Sequence, residues 1–571
     1  MFRRALYKGF GLLAEGKIRK FNADTHNPRE AQAQKLLKIV RANQASSFGS
    51  DHNFKNILSV QDFQSAVPVR DYEGLRPYID RSTGGEKKVL TEAEPLMYAT
   101  TSGTTGLPKY IPVTPGYMEE FRLASIVSGY HLLKNYPAIA GGVSLSVASP
   151  AREGETPGGT PYGAISGMLF QSEPYLIKKY ISPIPYEVYL ISDYETRYYT
   201  LLRLALTMPV SFFYTLNPST ISLLCRRLQT YGTQLVQDIA AGTITPPSPL
   251  SPQTLAALQK FMRPDKDRAK ALSALLEQGQ FMPHKIWPTL SLVSCWTKAA
   301  ASFYLADFPQ YFGSVPVCDI TYGASEGRGT VFMGPGLQVL AIQSHFFEFI
   351  PEEDIDSAGL DNKALLAHEL EVGRNYFILF TTSGGLYRYN INDVVKVTGF
   401  HNSTPLLEFQ YKGGNISSFT GEKITELQVT AAVRRAAAAA GLRLRFFTVI
   451  PTFKPEPHYQ VWAELDGDPA PSQVNWKENL GMTIDTELSV ENGEYKVKRD
   501  SLRLAPISVH PLNNGSYERF RKFLSSKGVA DAQIKVSHLN PKEEVRKHFE
   551  AELLDNISGQ RNQVDKSLSG I

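Results

Sequence analysis

The segment Thr100-Thr-Ser-Gly-Thr-Thr-Gly-Leu-Pro-Lys109 constrains this chain more than any other stretch. It lies between two runs with strand character, Leu96-Met-Tyr-Ala-Thr-Thr and Lys109-Tyr-Ile-Pro-Val. Glycines let successive backbone N–H groups converge on an anion, and hydroxyls add donors to phosphate oxygens. Thr101, Ser102, Gly103, Thr104, Thr105 and Gly106 are therefore candidate phosphate ligands, and Lys109 supplies positive charge. Leu107 and Pro108 separate Lys109 from the second glycine, whereas the lysine of a Walker loop follows its glycine directly, so kinase and motor ATPase chemistry is disfavoured. Pro112 marks the second run as an edge strand or strand end, because proline cannot donate to a ladder. Thr114-Pro115 then predicts a helix start, with Thr114 as N-cap and Pro115 at the first helical position.

Two further segments carry chemistry. Thr321-Tyr-Gly-Ala-Ser-Glu-Gly327 follows the strand-like run Val317–Tyr322 and, on its residues alone, reads equally well as a turn. Gly385-Leu-Tyr-Arg-Tyr-Asn-Ile-Asn-Asp393 leads into Val394-Val-Lys-Val-Thr, a clear strand. A carboxylate such as Asp393 can accept two hydrogen bonds from a ribose, and Arg388 is expected to pair with it or with phosphate.

The first loop resembles the phosphate-binding loop of the adenylate-forming superfamily, which comprises acyl-CoA synthetases, adenylation domains and luciferases. Thr321–Gly327 looks like that superfamily's YGxTE motif. Wider blocks resemble one branch, the auxin-responsive (GH) family of acyl-acid-amido synthetases. They include Phe63-Gln-Ser-Ala-Val-Pro-Val-Arg-Asp-Tyr, Phe346-Phe-Glu-Phe-Ile-Pro, Thr381-Thr-Ser-Gly-Gly-Leu-Tyr-Arg-Tyr, Gly399-Phe-His-Asn-Ser-Thr-Pro, Gly421-Glu-Lys-Ile-Thr-Glu-Leu-Gln and Asn492-Gly-Glu-Tyr-Lys-Val-Lys-Arg. The resemblance spans residues 30–550.

It implies an α/β chain with a large N-terminal domain of mixed sheets and helices, residues 1–412, and a small, mobile α+β C-terminal domain, residues 413–571, hinged at Lys412-Gly413. It implies that Tyr322 stacks on adenine, that Ser325 lies near the α-phosphate, that Gly323 also binds ATP, and that Glu326 ligates Mg²⁺. Asp393, Arg388 and Lys423 join the ATP site, and Lys535 joins Lys109 as a catalytic cation. The implied reaction uses ATP and Mg²⁺ to adenylate a small carboxylic acid, then passes the acyl group to an amine, expected to be that of an amino acid. An acyl-CoA ligase and an inactive nucleotide-binding homologue are the alternatives. Asn392 stands where the family usually has glycine, and Tyr411-Lys-Gly413 where the superfamily hinge is often Gly-Arg. The Thr-Thr-Gly-Leu-Pro-Lys loop differs from the Thr-Ser-Ala-Gly form of the plant hormone enzymes and points to a bacterial-type member.

Composition narrows the rest. The chain has 571 residues, 42% of them apolar, room for roughly two to four domains. Its 60 basic and 56 acidic residues nearly balance, which leaves no electrostatic footprint for nucleic acid. No apolar run reaches the ~18 residues of a membrane span. The basic N-terminus is expected to form the first helix of the fold. Three widely spaced cysteines, Cys225, Cys295 and Cys318, read as buried apolar residues of a cytoplasmic protein. The family resemblance implies a monomer. Ile424, Leu427, Ala431 and Ala438 are expected on one face of an alanine-rich helix ending before Gly441.

Overall fold

The computed structural model describes residues 2–101, 109–355, 364–413, 416–417, 422, 424–452, 456–467, 475–500, 503–526, 537–540 and 544–551. The chain divides into two compact units, Met1–Phe409 and Gln410–Ile571.

The larger unit is built on three sheets. The hairpin Met97–Thr101 and Lys109–Val113 belongs to a four-stranded sheet in which the Pro112 strand is at the edge, as its missing N–H requires. Thr114 Oγ1 accepts from Tyr117 N at 3.2 Å and so caps the helix Pro115–Asn135. A second sheet is wholly parallel, in the order Val143–Ser146, Val210–Tyr214, Leu292–Cys295 and Val317–Asp319. The helices Tyr194–Ala205 and Pro218–Ala241 pack into the apolar core around it. In open sheets of this kind the crevice beyond the carboxyl ends of the strands receives ligands. Thr321–Gly327 lies just past the end of Val317–Asp319.

The third sheet has six strands, ordered Phe346–Pro351, Asn375–Thr381, Tyr389–His401, Thr404–Lys412, Leu337–Leu340 and Thr330–Gly334. Every residue of Phe346–Pro351 and of Thr330–Gly334 is buried, so both faces of the sheet are covered there. The N-terminal segment forms the helix Phe2–Asp24 and inserts Ala14, Ile18 and Phe21 into the same core. Among the described residues no helix is long and apolar enough to cross a membrane.

In the smaller unit Leu444–Thr452, His458–Leu465 and Ser508–Leu512 form a three-stranded sheet. The alanine-rich helix is Glu426–Ala439, with Thr425 and Gln428 closing a capping box. Its buried face differs from the sequence expectation. Val429, Ala432, Val433, Ala436 and Ala437 are buried, Leu427 and Ala438 face solvent, and Ile424 belongs to the short strand before the helix. Two valines four residues apart set the phase, and the alanines on either side are indifferent to it.

Candidate active site

Two short pieces of chain, 322–330 and 388–393, meet in the larger unit. The first is a tight turn. A Gly323–Arg328 bridge closes it, Ala324 N donates to Gly327 O at 2.9 Å, and Gly329 N and Thr330 N donate to Tyr322 O at 3.0 and 3.1 Å. Its glycines are demanded by contacts. A Cβ on Gly329 would lie 2.2 Å from Tyr322 Cδ1, and one on Gly327 would lie 2.9 Å from His345 Nε2.

The turn is also held from outside. Tyr117 Oη, on the helix Pro115–Asn135, donates to Ser325 O at 2.8 Å. Arg328 N donates to His345 Nε2 at 3.0 Å, and His345 Nδ1 lies 2.9 Å from Glu120 Oε2. Glu120 accepts further from Lys35 Nζ at 2.5 Å and from Ser383 N at 3.2 Å. Burial pushes the Glu120 carboxyl up, but His345 and Lys35 more than offset this and hold it below the usual glutamate value.

The second piece owes its shape to a bulge. Between Phe377↔Val394 and Leu379↔Asn390 the ladder shifts register, so the strand carries extra residues around Ile391–Asp393. Asn392 has φ 64°, in the left-handed region that glycine and asparagine tolerate. This accounts for asparagine where the resemblance expects glycine: the backbone demands a residue at ease there, and both meet the demand. The kink delivers Asp393, buried, to Tyr322, whose hydroxyl donates to Asp393 Oδ2 at 2.8 Å. Burial first, and the Asp393 charge second, push the Tyr322 phenol well above its ordinary value, so it remains a donor. Phe409 stacks near-parallel on Tyr322, centroids 5.6 Å apart.

The remaining sequence candidates separate. Glu326 is buried in the turn, and Ser325 is half-buried beside it. Among the described residues no three His, Cys, Asp or Glu side chains cluster to hold a metal. A lone carboxylate is nonetheless a fit donor for Mg²⁺, which binds through one or two carboxylates together with substrate phosphates. Lys109 pairs with Thr101 at the loop end of the hairpin, and its ammonium lies 5.2 Å over the Tyr72 ring. Arg388 is fully buried; its guanidinium bonds Glu348 at 3.0 Å and the carbonyls of Gln64 and Val67 at 3.0 and 2.8 Å. These contacts tie it to the 63–72 and 346–351 blocks, partners that the sequence reading did not name. Ser102, Gly103, Thr104, Thr105, Gly106, Lys423 and Lys535, and the side chain of Thr101, lie outside the described residues. Sequence reasoning missed Glu120, His345 and Tyr117. His345 immediately precedes a quoted block, but no local pattern joins it to Glu120.

Burial pushes the Cys318 thiol up to about 11 and the Cys225 and Cys295 thiols higher still, so none of the three is a nucleophile at neutral pH.

Family models match nearly the whole chain in sequence order: the GH3 family N-terminal domain over residues 17–317, the central domain over 338–412 and the C-terminal domain over 427–544. The chain belongs to the GH3 family. Both pieces of the site lie within the region of those models or beside it, the 388–393 corner inside the GH3 central domain. Indole-3-acetic acid-amido synthetase GH3.4 of Arabidopsis thaliana is 26% identical over 546 residues, covering 91% of each chain. Jasmonoyl-L-amino acid synthetase JAR4 of Nicotiana attenuata is 26% identical over 545 residues, covering 91% of this chain and 93% of its own. The GH3.15 acyl acid amido synthetase structure superposes with a TM-score of 0.81 at 22% identity, over 92% of this chain and 94% of its own. A 2-hydroxyisobutyryl-CoA ligase in the postadenylation state superposes at 0.51 with 11% identity over 91% of each chain. The GH3 chain therefore has the α/β adenylate-forming fold.

Proposed function

We propose that this GH3 protein is an ATP-dependent acyl-acid amido synthetase that adenylates a small carboxylic acid and transfers its acyl group to the amine of an amino acid. The observation that carries the reading is the bond between Tyr322 and Asp393, which joins two motifs 71 residues apart within a family whose relatives are named amido synthetases.

In the first half-reaction a carboxylate oxygen of the acid bonds to the α-phosphorus of ATP, and the bond to pyrophosphate breaks. Asp393 is placed to accept from the ribose hydroxyls, and Tyr322 to line the adenine. Ser325 is placed to donate to the α-phosphate. Glu326 would hold Mg²⁺, which would neutralise charge gathering on the phosphates. Lys109 adds positive charge at the mouth of the phosphate loop, and fixed charge aimed at a developing anion is among the larger catalytic terms. In the second half-reaction the neutral amine bonds to the acyl carbon, and the carbon–oxygen bond to AMP breaks.

Lys423 and Lys535 are assigned to this site on motif alone, as are the 102–106 loop and a hinge at Lys412-Gly413 separating the two half-reactions. A cytoplasmic location accords with three buried free cysteines, and a monomer is the expectation of the family resemblance alone. The test is pyrophosphate release over a panel of aryl and alkyl acids, with and without pooled amino acids. Acid-dependent release and a product of acid plus amino acid less water are expected. Consumption of the acyl adenylate by coenzyme A alone, or no release with any acid, overturns the reading.

A further inference from the structure

The turn that presents Ser325 and Glu326 stands on a chain of buried polar groups that no motif describes. Arg328 N–H donates to His345 Nε2, so that nitrogen carries no proton. The imidazole proton is therefore on Nδ1 and points at Glu120 Oε2, 2.9 Å away. Glu120 is oriented in its turn: Lys35 Nζ lies 2.5 Å from Oε1, and the backbone N–H and hydroxyl of Ser383 donate to the same carboxylate. Ser383 is itself fixed, its carbonyl accepting from Thr114 Oγ1, the N-cap of the Glu120 helix, at 2.7 Å. Gln32 clamps the backbone on both sides of His345: its amide donates to Ile342 O and His345 O, and its oxygen accepts from Phe347 N. His345 is fully buried and Glu120 nearly so. Gly327 has no side chain where a Cβ would strike His345 Nε2.

The arrangement has the logic of a carboxylate–histidine pair in which the acid fixes the tautomer and the ring serves another group. Here the group served is a backbone amide, two residues beyond Glu326. We infer that Glu120 and His345 form a positioning relay, which holds the 322–330 turn in the conformation that presents Ser325 and Glu326 to a nucleotide. The inference rests on the nucleotide reading for its purpose, but not for its mechanics. A buried ring chosen only to fill space would be apolar. This one is bonded at both nitrogens, and each bond is given a defined direction by its partner.

Hydrogen exchange of the full-length protein tests the mechanics without any ligand. In His345→Leu the peptide covering 322–330 should exchange about tenfold faster than in the parent, the loss of one bond that anchors a local opening. In His345→Gln an amide N–H and C=O can take the two roles, and exchange should stay near the parent rate. In Glu120→Gln the tautomer is no longer enforced, and the same peptide should accelerate by less than in His345→Leu. If His345→Leu does not fold, His345→Gln and Glu120→Gln decide by the same measurement. Parent-like exchange in folded His345→Leu or in Glu120→Gln overturns the relay, as does His345→Gln exchanging as fast as His345→Leu.

Calorimetry with AMP then tests the purpose. The Kd should rise about tenfold in His345→Leu and recover in His345→Gln. Unchanged AMP affinity with an accelerated turn overturns the assigned role. Absence of AMP and ATP binding by the parent protein counts against the nucleotide reading itself, while the exchange data still judge the relay.

Discussion

The two pieces of chain that meet at Tyr322 and Asp393 are held in different ways. The 322–330 turn is anchored by directed bonds from Tyr117 and His345, behind which sit Glu120 and Lys35, the lysine side chain 12% exposed. The 388–393 corner is anchored by a charge pair with no access to water, Arg388 with Glu348, whose side chains are 0% and 1% exposed. Arg388 also adopts φ 46°, a left-handed conformation rare for its type, and its neighbour Asn392 repeats that conformation four residues on. The turn is thus positioned by groups that a single substitution can imitate. The corner is positioned by a buried ion pair that tolerates no missing partner.

That contrast is broken most directly at Glu348. Its carboxylate accepts from Arg388 Nε and from the half-buried Gln64 Nε2 at 2.8 Å. Removing one partner of a buried pair leaves an uncompensated charge, at a cost of about 3–5 kcal/mol. Glu348→Ala should therefore lower the denaturation midpoint by far more than His345→Gln does behind the turn. Denaturant titration beside His345→Gln checks this, and comparable midpoints for the two would erase the distinction between the regions.

Asp393→Asn comes next, and acts on function. The side chain keeps its shape and an oxygen for Tyr322, so the fold should persist. A hydrogen bond to a charged group is worth about 1.5–3 kcal/mol, so the KM for ATP in pyrophosphate exchange should rise roughly tenfold to a hundredfold. An unchanged KM would detach Asp393 from the ribose.

What the sequence disclosed and withheld follows the same division. Tyr322, Glu326 and Asp393 sit in motifs that are read locally along the chain, and the structure brings Tyr322 to Asp393. The Thr114 cap and the edge strand at Pro112 were legible because each rests on one residue's backbone. Glu120 and His345 were not, because they are 225 positions apart and only tertiary folding pairs them. Arg388 was assigned to the nucleotide because arginine beside a loop carboxylate has two readings, and its structural partner Glu348 is 40 residues away. The phase of the helix Glu426–Ala439 was lost in Ala436–Ala440, a run without periodic contrast.

Asn392 sharpens the account of the corner. A β-branched residue at φ 64° is disfavoured by about 1–2 kcal/mol, while glycine is at ease there. Asn392→Val should therefore destabilise and raise the KM for ATP by displacing Asp393, whereas Asn392→Gly should leave both near the parent values. A valine variant indistinguishable from the parent would show that the bulge, not the left-handed residue, aims the carboxylate.

The bond that joins the two pieces is broken by Tyr322→Phe, which removes one hydroxyl from a buried carboxylate, at a cost of about 1.5–3 kcal/mol near neutral pH. The change grows distinctive at high pH. Burial and then Asp393 raise the phenol's pKa in the folded protein above its unfolded value near 10. Above pH 10 the unfolded chain gives up this proton and the folded protein keeps it, so stability falls as pH rises through that window. Deleting the phenol removes one proton from that difference, and the alkaline decline in unfolding free energy should become shallower by up to about 1.4 kcal/mol per pH unit. Parallel alkaline limbs for parent and variant would mean that the Tyr322 proton is not held by the fold, and that the turn and the corner are joined by packing against Phe409 and Gly329 rather than by the bond to Asp393.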